Sequence, residues 1–276
     1  MKIKYKAENG LSIRQWFREH YINLTYNELQ KYLRVKDITL NGKKVSPQHI
    51  LSSNDIIHVW DKIPKVENAY SDIYTKELNS SIILYEDEDI LAINKPYNMC
   101  SQGDIDDSAF LQVNQYAHKK GKKAYPVHRI DKFTTGVLIF ALNRNTAMLL
   151  SESIKNWKKT YISLLPWSNL GSGSINTVED GKSLITGYLS VGKIHIDTYP
   201  YEIVKFFPKT GKKHQIRRHV SDMGLPIVGD RMYGSEEQTR MHLHCREVYF
   251  VLNGKRFTIQ APLPGHMEHL SHHLKR

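Results

Sequence analysis

Six apolar residues in succession, Val137 to Leu142, constrain this chain more than any other segment. β-Branched, Leu and Phe side chains without alternation describe a strand buried on both faces. The strand is entered from His128-Arg129-Ile130-Asp131-Lys132-Phe133-Thr134-Thr135-Gly136, which sets one carboxylate, flanked by basic residues, in the loop that feeds the core. Gly136 permits a tight entry, and the Thr134 and Thr135 hydroxyls can bond the loop backbone and hold the carboxylate in place. Surface loops also use an aspartate simply to cap their own turn. The loop alone therefore leaves a structural and a catalytic role for Asp131 open.

With 276 residues, 40% of them apolar, the chain can bury a sizeable core in one or two domains. A formal net charge of +11 favours a polyanionic partner, either nucleic acid or an acidic membrane surface. No apolar run approaches the roughly 20 residues of a spanning helix, and no basic amphipathic helix shows a broad Leu or Trp face. Nucleic acid is the expected partner, with no membrane. Cys100 and Cys245 give neither a disulfide framework nor a metal pattern, which suits a reducing compartment. Met1 to Lys6 lacks the apolar core of a secretory signal, and Glu8 and Glu19 are out of place in an acid-poor presequence. Cytoplasm is the expected location.

Residues 1–63 are expected to form a small first domain, 64–80 a linker, and 81–276 the larger domain. Ser12-x-x-Gln15 and Thr25-x-x-Glu28 are capping boxes that open helices from Ile13 to His20 and Tyr26 to Arg34. Asp37 to Leu40 and Lys43 to Val45 flank Asn41-Gly42, a preferred type I′ hairpin turn, and Ile56 to Trp60 supplies another strand. Lys31, Arg34, Lys36, Lys43 and Lys44 cluster around the second helix and the hairpin, where they can neutralise phosphates or form an ordinary solvated face. Pro64 to Asn79 is polar and poorly periodic.

From Ser81 onward the pattern is strand-rich. Ile82 to Tyr85 and Ile90 to Asn94 suggest a hairpin, Asn143 or Asn145 caps a helix running to about Trp157, and strands follow near Tyr161 to Leu165 and Tyr201 to Phe207. A helix over 213–223 carries Ile216, Val220 and Met223 on one face and ends at Gly224. Residues 170–201 suggest loops and short strands. The interleaving predicts an α+β fold with a mixed, mostly antiparallel sheet.

The segment His-Arg-Ile-Asp-x-x-Thr-Thr-Gly resembles the catalytic signature of the RluA family of RNA pseudouridine synthases, His-Arg-Leu-Asp-x-x-Thr-Ser-Gly. Further segments follow in the family's order: Asn94-Lys95-Pro96; Lys159-Thr160-Tyr161 to Leu164; Thr210-Gly211-Lys212-Lys213-His214-Gln215-Ile216-Arg217 with Pro226 to Asp230 and Tyr233-Gly234; Leu243-His244-Cys245; and Ala261-Pro262-Leu263-Pro264. Asn98 stands where the family commonly has Gly, while Lys212 and Arg218 replace a usual Arg and a small apolar residue. The first domain, from Leu33-Arg34 through Asn41-Gly42 to Asn54-Asp55-Ile56-Ile57, resembles the S4 RNA-binding domain that several members carry.

This resemblance implies an isomerase that detaches uracil from C1′ of a uridine in RNA and rejoins it through C5, with no metal and no cofactor. It carries over Asp131 as the essential carboxylate, Tyr161 as the platform for the base, and Arg217 as the charge that keeps Asp131 ionised. Asp131 as nucleophile at C1′ and Asp131 as base at C2′ are both open. Arg217 is expected on the helix face opposite Ile216, Val220 and Met223, free to reach the loop. Arg129 is expected to enter the space left by an extruded base or to grip the neighbouring phosphates, and Lys95, Lys132 and Lys159 to contact the RNA backbone.

An S4-like domain ahead of the catalytic domain resembles the large-subunit ribosomal RNA branch, the RluC-like members, with transfer RNA as an alternative substrate and a monomer expected. The rival from another class is an RNA-binding assembly factor without catalysis, against which the retention of Asp131, Tyr161 and Arg217 together argues. His266, His269, His272 and His273, with His242-x-His244, invite a metal site. The tail shows few signs of a packed helix, and none is expected.

Overall fold

The computed structural model describes residues 2–7, 10–21, 26–63, 76–103 and 108–274. It divides into two compact units, Met1–Tyr74 and Thr75–Arg276. Most of the expected linker, residues 64–75, and Thr25 of the second capping box lie outside the described residues.

In the first unit, β1 (Lys2–Lys6), α1 (Ile13–His20), α2 (Tyr26–Arg34), β2 (Ile38–Leu40) and β3 (Ile56–Trp60) follow in order. The Ser12 box forms: Ser12 Oγ accepts from Gln15 N at 3.2 Å, and Gln15 Oε1 accepts from Ser12 N at 2.8 Å. Trp16, Phe17, Leu29, Leu33, Ile38, Ile57 and Val59 are buried together. The sheet order is β1-β3-β2, all antiparallel. One strand carried no expectation, and one expectation needs correction. The first strand, β1, pairs with β3 and was not legible, because its alternating Lys residues hide a partly apolar face. Lys43 to Val45 is not a strand; Lys43 makes only a bridge to Leu40. Asn41 and Gly42 do take the left-handed φ values of a tight turn, 49° and 76°. The Asn41 side chain, however, accepts from Ile56 N at 2.8 Å and donates to Asp55 Oδ1 at 2.7 Å, which directs β2 onto β3.

The second unit contains β4 (Ile83–Glu86), β5 (Ile90–Lys95), α3 (Ala109–Lys119), β6 (Tyr125–Pro126), β7 (Thr135–Ala141), α4 (Arg144–Ser153), β8 (Lys158–Pro166), β9 (Ser172–Glu179), β10 (Lys182–Ile196), β11 (Tyr199–Pro208), α5 (Gln215–Asp222), β12 (Leu243–Leu252) and β13 (Lys255–Gln260). Its sheet runs β4-β5-β7-β12-β8-β11-β10-β9, with β13 on β12 and β6 on β7. Every pairing is antiparallel except β7 with β12. This is the expected α+β fold.

The strand β7 shows why its sequence does not alternate. Val137, Ile139 and Ala141 enter one core with Leu150, Trp157, Ile216 and Val220. Leu138, Phe140 and Leu142 enter another with Val113 and Ala117 of α3. Period-two geometry sends successive side chains to two apolar layers. Asn143 caps α4 by accepting from Thr146 N at 2.8 Å. Residues 170–201 are more regular than expected, because β10 is a single strand of 15 residues bent by a bulge between Ser190 and Gly192. Polar, Gly-containing edge strands carry weak periodicity.

Candidate active site

The loop before β7 is fixed from three sides. Thr134 N donates to Asp131 O at 3.1 Å, closing a turn over residues 131–134. Ser101 Oγ donates to Ile130 O at 2.6 Å and accepts from Ile130 N at 3.1 Å. Lys95 Nζ donates to the carbonyls of Pro96, Met99 and Lys132 at 2.9, 2.8 and 3.1 Å. Burial pulls the Lys95 pKa down to about 7, against the opposing influence of the nearby Cys100 and Asp131. Lys95 is thus no phosphate contact: its side chain is wholly buried and its three donors are held by backbone oxygens.

The threonines also differ from expectation. Thr135 Oγ1 bonds His244 Nδ1 at 2.8 Å rather than the loop, and the buried Thr134 hydroxyl has no hydrogen-bond partner among the described residues. Gly136 has φ +108°, and a Cβ there would stand 2.2 Å from the Cys245 carbonyl oxygen on β12. Only glycine lets the parallel neighbour approach so closely.

The helix α5 brings the second charge. It starts at His214, whose φ of 57° turns the chain sharply inward, and ends before Gly224 at φ 74°. Ile216 and Val220 are buried as expected, whereas Met223 lies beyond the last turn and is 39% exposed. Arg217 is 3% exposed. Its Nη1 stands 3.5 Å from Asp131 Oδ2, while Nε and Nη2 donate to Asp230 Oδ2 and Oδ1 at 2.6 and 2.8 Å. Its guanidinium also lies 4.8 Å from the Tyr233 ring centroid. Burial pulls the Arg217 pKa down, but the bonds to Asp230 outweigh it and the net shift is upward.

His214 completes the cluster: Nε2 is 3.7 Å from Asp131 Oδ1 and Nδ1 bonds the Tyr233 hydroxyl at 2.9 Å. Burial lowers its pKa despite the Asp131 charge, with Arg217 adding to the depression. Asp131, its side chain 16% exposed, is the acid of the cluster that a substrate can reach, while the Arg217 and Asp230 pair stays covered.

Tyr161 sits on β8 opposite Cys245 of β12, close enough for each side chain to shift the other's pKa. Burial, then Cys245, raises its pKa well above the usual value, so it stays protonated at neutral pH. Arg129 and Lys132 are exposed beside the loop, and Lys159 is partly buried, which lowers its pKa. In the first unit Lys31, Arg34, Lys43 and Lys44 are exposed, and Lys31, Arg34 and Lys44 border one shallow cleft. The tail is more ordered than expected: a 3₁₀ helix, Gly265–His273, buries Met267 and Leu270. His242 packs against His266 and His269 at 5.2 and 6.1 Å between ring centroids, whereas His244 bonds Thr135. Among the described residues no group of three or more His, Cys, Asp or Glu is arranged to hold a metal.

Asp230, His214 and Cys245 are the site residues that sequence reasoning gave no role. For Asp230 a signal existed, since a carboxylate ending the apolar run Pro226 to Gly229 needs a buried partner.

A reachable carboxylate backed by a buried guanidinium, at the mouth of a core strand, is an arrangement that can carry nucleophilic or acid–base chemistry. The family model for RNA pseudouridylate synthase matches residues 89–222. Ribosomal large subunit pseudouridine synthase C of Rickettsia felis is 30% identical over 284 residues, covering 91% of this chain and 92% of that protein. The tRNA pseudouridine synthase C of Pasteurella multocida is 31% identical over 210 residues, covering 66% of this chain and 86% of that protein. The solved structure of human RNA pseudouridylate synthase domain containing 4 shares the fold with a TM-score of 0.59 at 22% identity, covering 71% of this chain and 94% of that one. The chain belongs to the RluA family of RNA pseudouridine synthases, isomerases that convert uridine to pseudouridine.

Proposed function

We propose that this enzyme modifies uridines in large-subunit ribosomal RNA, with Asp131 as the essential carboxylate. The observation that carries the assignment of Asp131 is its geometry: it is the reachable acid of a cluster whose guanidinium, Arg217, is locked by Asp230. Arg217 sets a fixed positive charge 3.5 Å from Asp131 as the uridine approaches. Tyr161, protonated and mostly buried, is the side chain to which we assign the platform for the detached base. The base must leave its stack to reach these groups, and exposed Arg129 is positioned to fill the gap it leaves. Lys132 meets the neighbouring backbone.

The substrate class rests on the N-terminal unit. The relatives named for ribosomal RNA cover 91% of this chain, against 61% and 66% for those named for tRNA. We read the first unit, two helices on a three-stranded sheet, as an S4-like RNA-binding domain using Lys31, Arg34, Lys43 and Lys44. We take the enzyme to be a cytoplasmic monomer that needs no cofactor.

The test is incubation with unmodified large-subunit ribosomal RNA and with unmodified transfer RNA, followed by carbodiimide labelling and primer extension. New stops in the ribosomal RNA are expected. Stops confined to transfer RNA would overturn the substrate assignment, and tight binding without stops in either would favour an RNA-binding assembly factor.

A further inference from the structure

Two residues beyond Asp131 the chain shows an aromatic ring to solvent. Phe133 is 37% exposed although it lies in a loop anchored from three sides. Single exposed apolar side chains are ordinary, but this one is part of an assembly. The Tyr97 ring lies 5.4 Å from it with a 35° tilt between planes. The Lys132 ammonium is 5.7 Å from the Phe133 centroid, and the Arg240 guanidinium is 5.5 Å from that of Tyr97. Met232, 67% exposed, and His266 border the same cleft, which has a volume of about 630 Å³ and reaches Arg217 and Asp230. That is the size of a small-ligand pocket.

Flat faces interleaved with cations are what a single strand of nucleic acid requires: bases stack on the rings and phosphates meet the charges. The cleft favours an anion. Its one carboxylate, Asp230, is paired with Arg217, and among the described residues no carboxylate pairs with Lys132, Arg231 or Arg240. Its distance from Asp131 limits which nucleotide it can receive. Two residues of chain span at most about 7 Å, so with the target ribose at Asp131 the Phe133 ring is within reach of an adjacent nucleotide. The target base itself is assigned to Tyr161.

We propose that Phe133 and Tyr97, with Arg240 for the phosphate, form a stacking subsite for an unpaired nucleotide adjacent to the target uridine. The proposal rests on the RNA pseudouridine synthase reading above. Extruding a base leaves its neighbour without a stacking partner, and the Phe133 ring replaces that partner. Because every base has a π-face, the subsite prefers the larger face of a purine without reading a particular base.

The test uses the full chain as wild type, Phe133→Ala and Phe133→Trp, with RNA hairpins built around a uridine mapped in ribosomal RNA. Each hairpin carries either the natural base or an abasic nucleotide at one flank. Phe133→Ala is expected to raise KM about tenfold, with the loss in KM rather than kcat, and Phe133→Trp to restore it. An abasic flank on one side should cost wild type the same factor and Phe133→Ala nothing further. Equal abasic penalties in wild type and Phe133→Ala, or a loss confined to kcat, would overturn the subsite.

Wild type that modifies no RNA would instead overturn the activity reading. Fluorescence anisotropy with hairpins bearing a single loop uridine flanked by adenosines then decides the subsite. Non-additive losses of affinity from the variant and the abasic flank support it; unchanged affinity in Phe133→Ala, or no binding by wild type, overturns it.

Discussion

Arg217 gives both bonds of its bidentate edge to Asp230, at 2.6 and 2.8 Å, and faces Asp131 with the remaining nitrogen at 3.5 Å. One acid fixes the guanidinium so that it can serve another. Such a fork fixes the plane of the group as well as its charge, which explains how a long side chain on a helix holds a set position against a loop.

Asp230→Asn should therefore damage more than one hydrogen bond. Removing one partner of a buried pair leaves an uncompensated charge and costs about 3–5 kcal/mol. Urea unfolding of the variant should show a loss of that order, and turnover should fall with it. A loss below about 1 kcal/mol would show that Arg217 does not depend on Asp230.

Gly136→Ala tests the seam between β7 and β12. The new methyl would meet the Cys245 carbonyl at 2.2 Å with the backbone at φ +108°. Overpacking and strain together should cost about 2–4 kcal/mol and displace the Asp131 loop. Thermal unfolding and turnover should both fall; wild-type values for both would refute the seam.

Local structure was legible wherever one segment determined it. The apolar run before Asn143, the Asn143 cap and the Ile216 and Val220 stripe all describe a segment's own burial, and the elements form within a few residues of expectation. Long-range pairing was not legible. Nothing in the local pattern of Leu243 to Leu252 announces a parallel partner, and a lysine such as Lys95 suggests a surface until three carbonyls from two loops close around it. The cluster was half legible: Asp131 and Arg217 came from motif resemblance, whereas the bond that fixes Arg217 depends on how residues after α5 return to it.

Stability should fall in acid. Burial holds His128 down to about 3 and His242 and His244 to about 4, against about 6.5 for an unfolded histidine. The unfolded chain thus binds more protons below pH 6.5, and this stability, present above that pH, is lost as pH falls towards 4. Lys95, held at about 7 against about 10.4 when unfolded, adds a further rise between pH 7 and 10. Melting temperatures from pH 4.5 to 8 should climb, below the range where the raised Cys245 pKa begins to oppose the trend, and Lys95→Met should flatten the upper part. A maximum near pH 6 in wild type would contradict these burials.

Cysteine reactivity reports the Tyr161 neighbourhood. Cys245 is fully buried and burial pushes its thiol up to about 12, whereas Cys100 is partly exposed. Thiolate is the reactive form, so alkylation of the native protein followed by mass spectrometry should label Cys100 and leave Cys245 until the sheet opens. Prompt labelling of Cys245 would mean that the Tyr161 contact is not closed.

The most direct measurement is tritium release from large-subunit ribosomal RNA labelled at uridine C5, comparing wild type with Asp131→Asn at matched RNA binding. The account predicts release by wild type and a fall of at least about 10⁴-fold in the variant, as when an essential catalytic group is removed, with RNA still bound. Comparable release by Asp131→Asn would show that the carboxylate beside Arg217 does not carry the reaction.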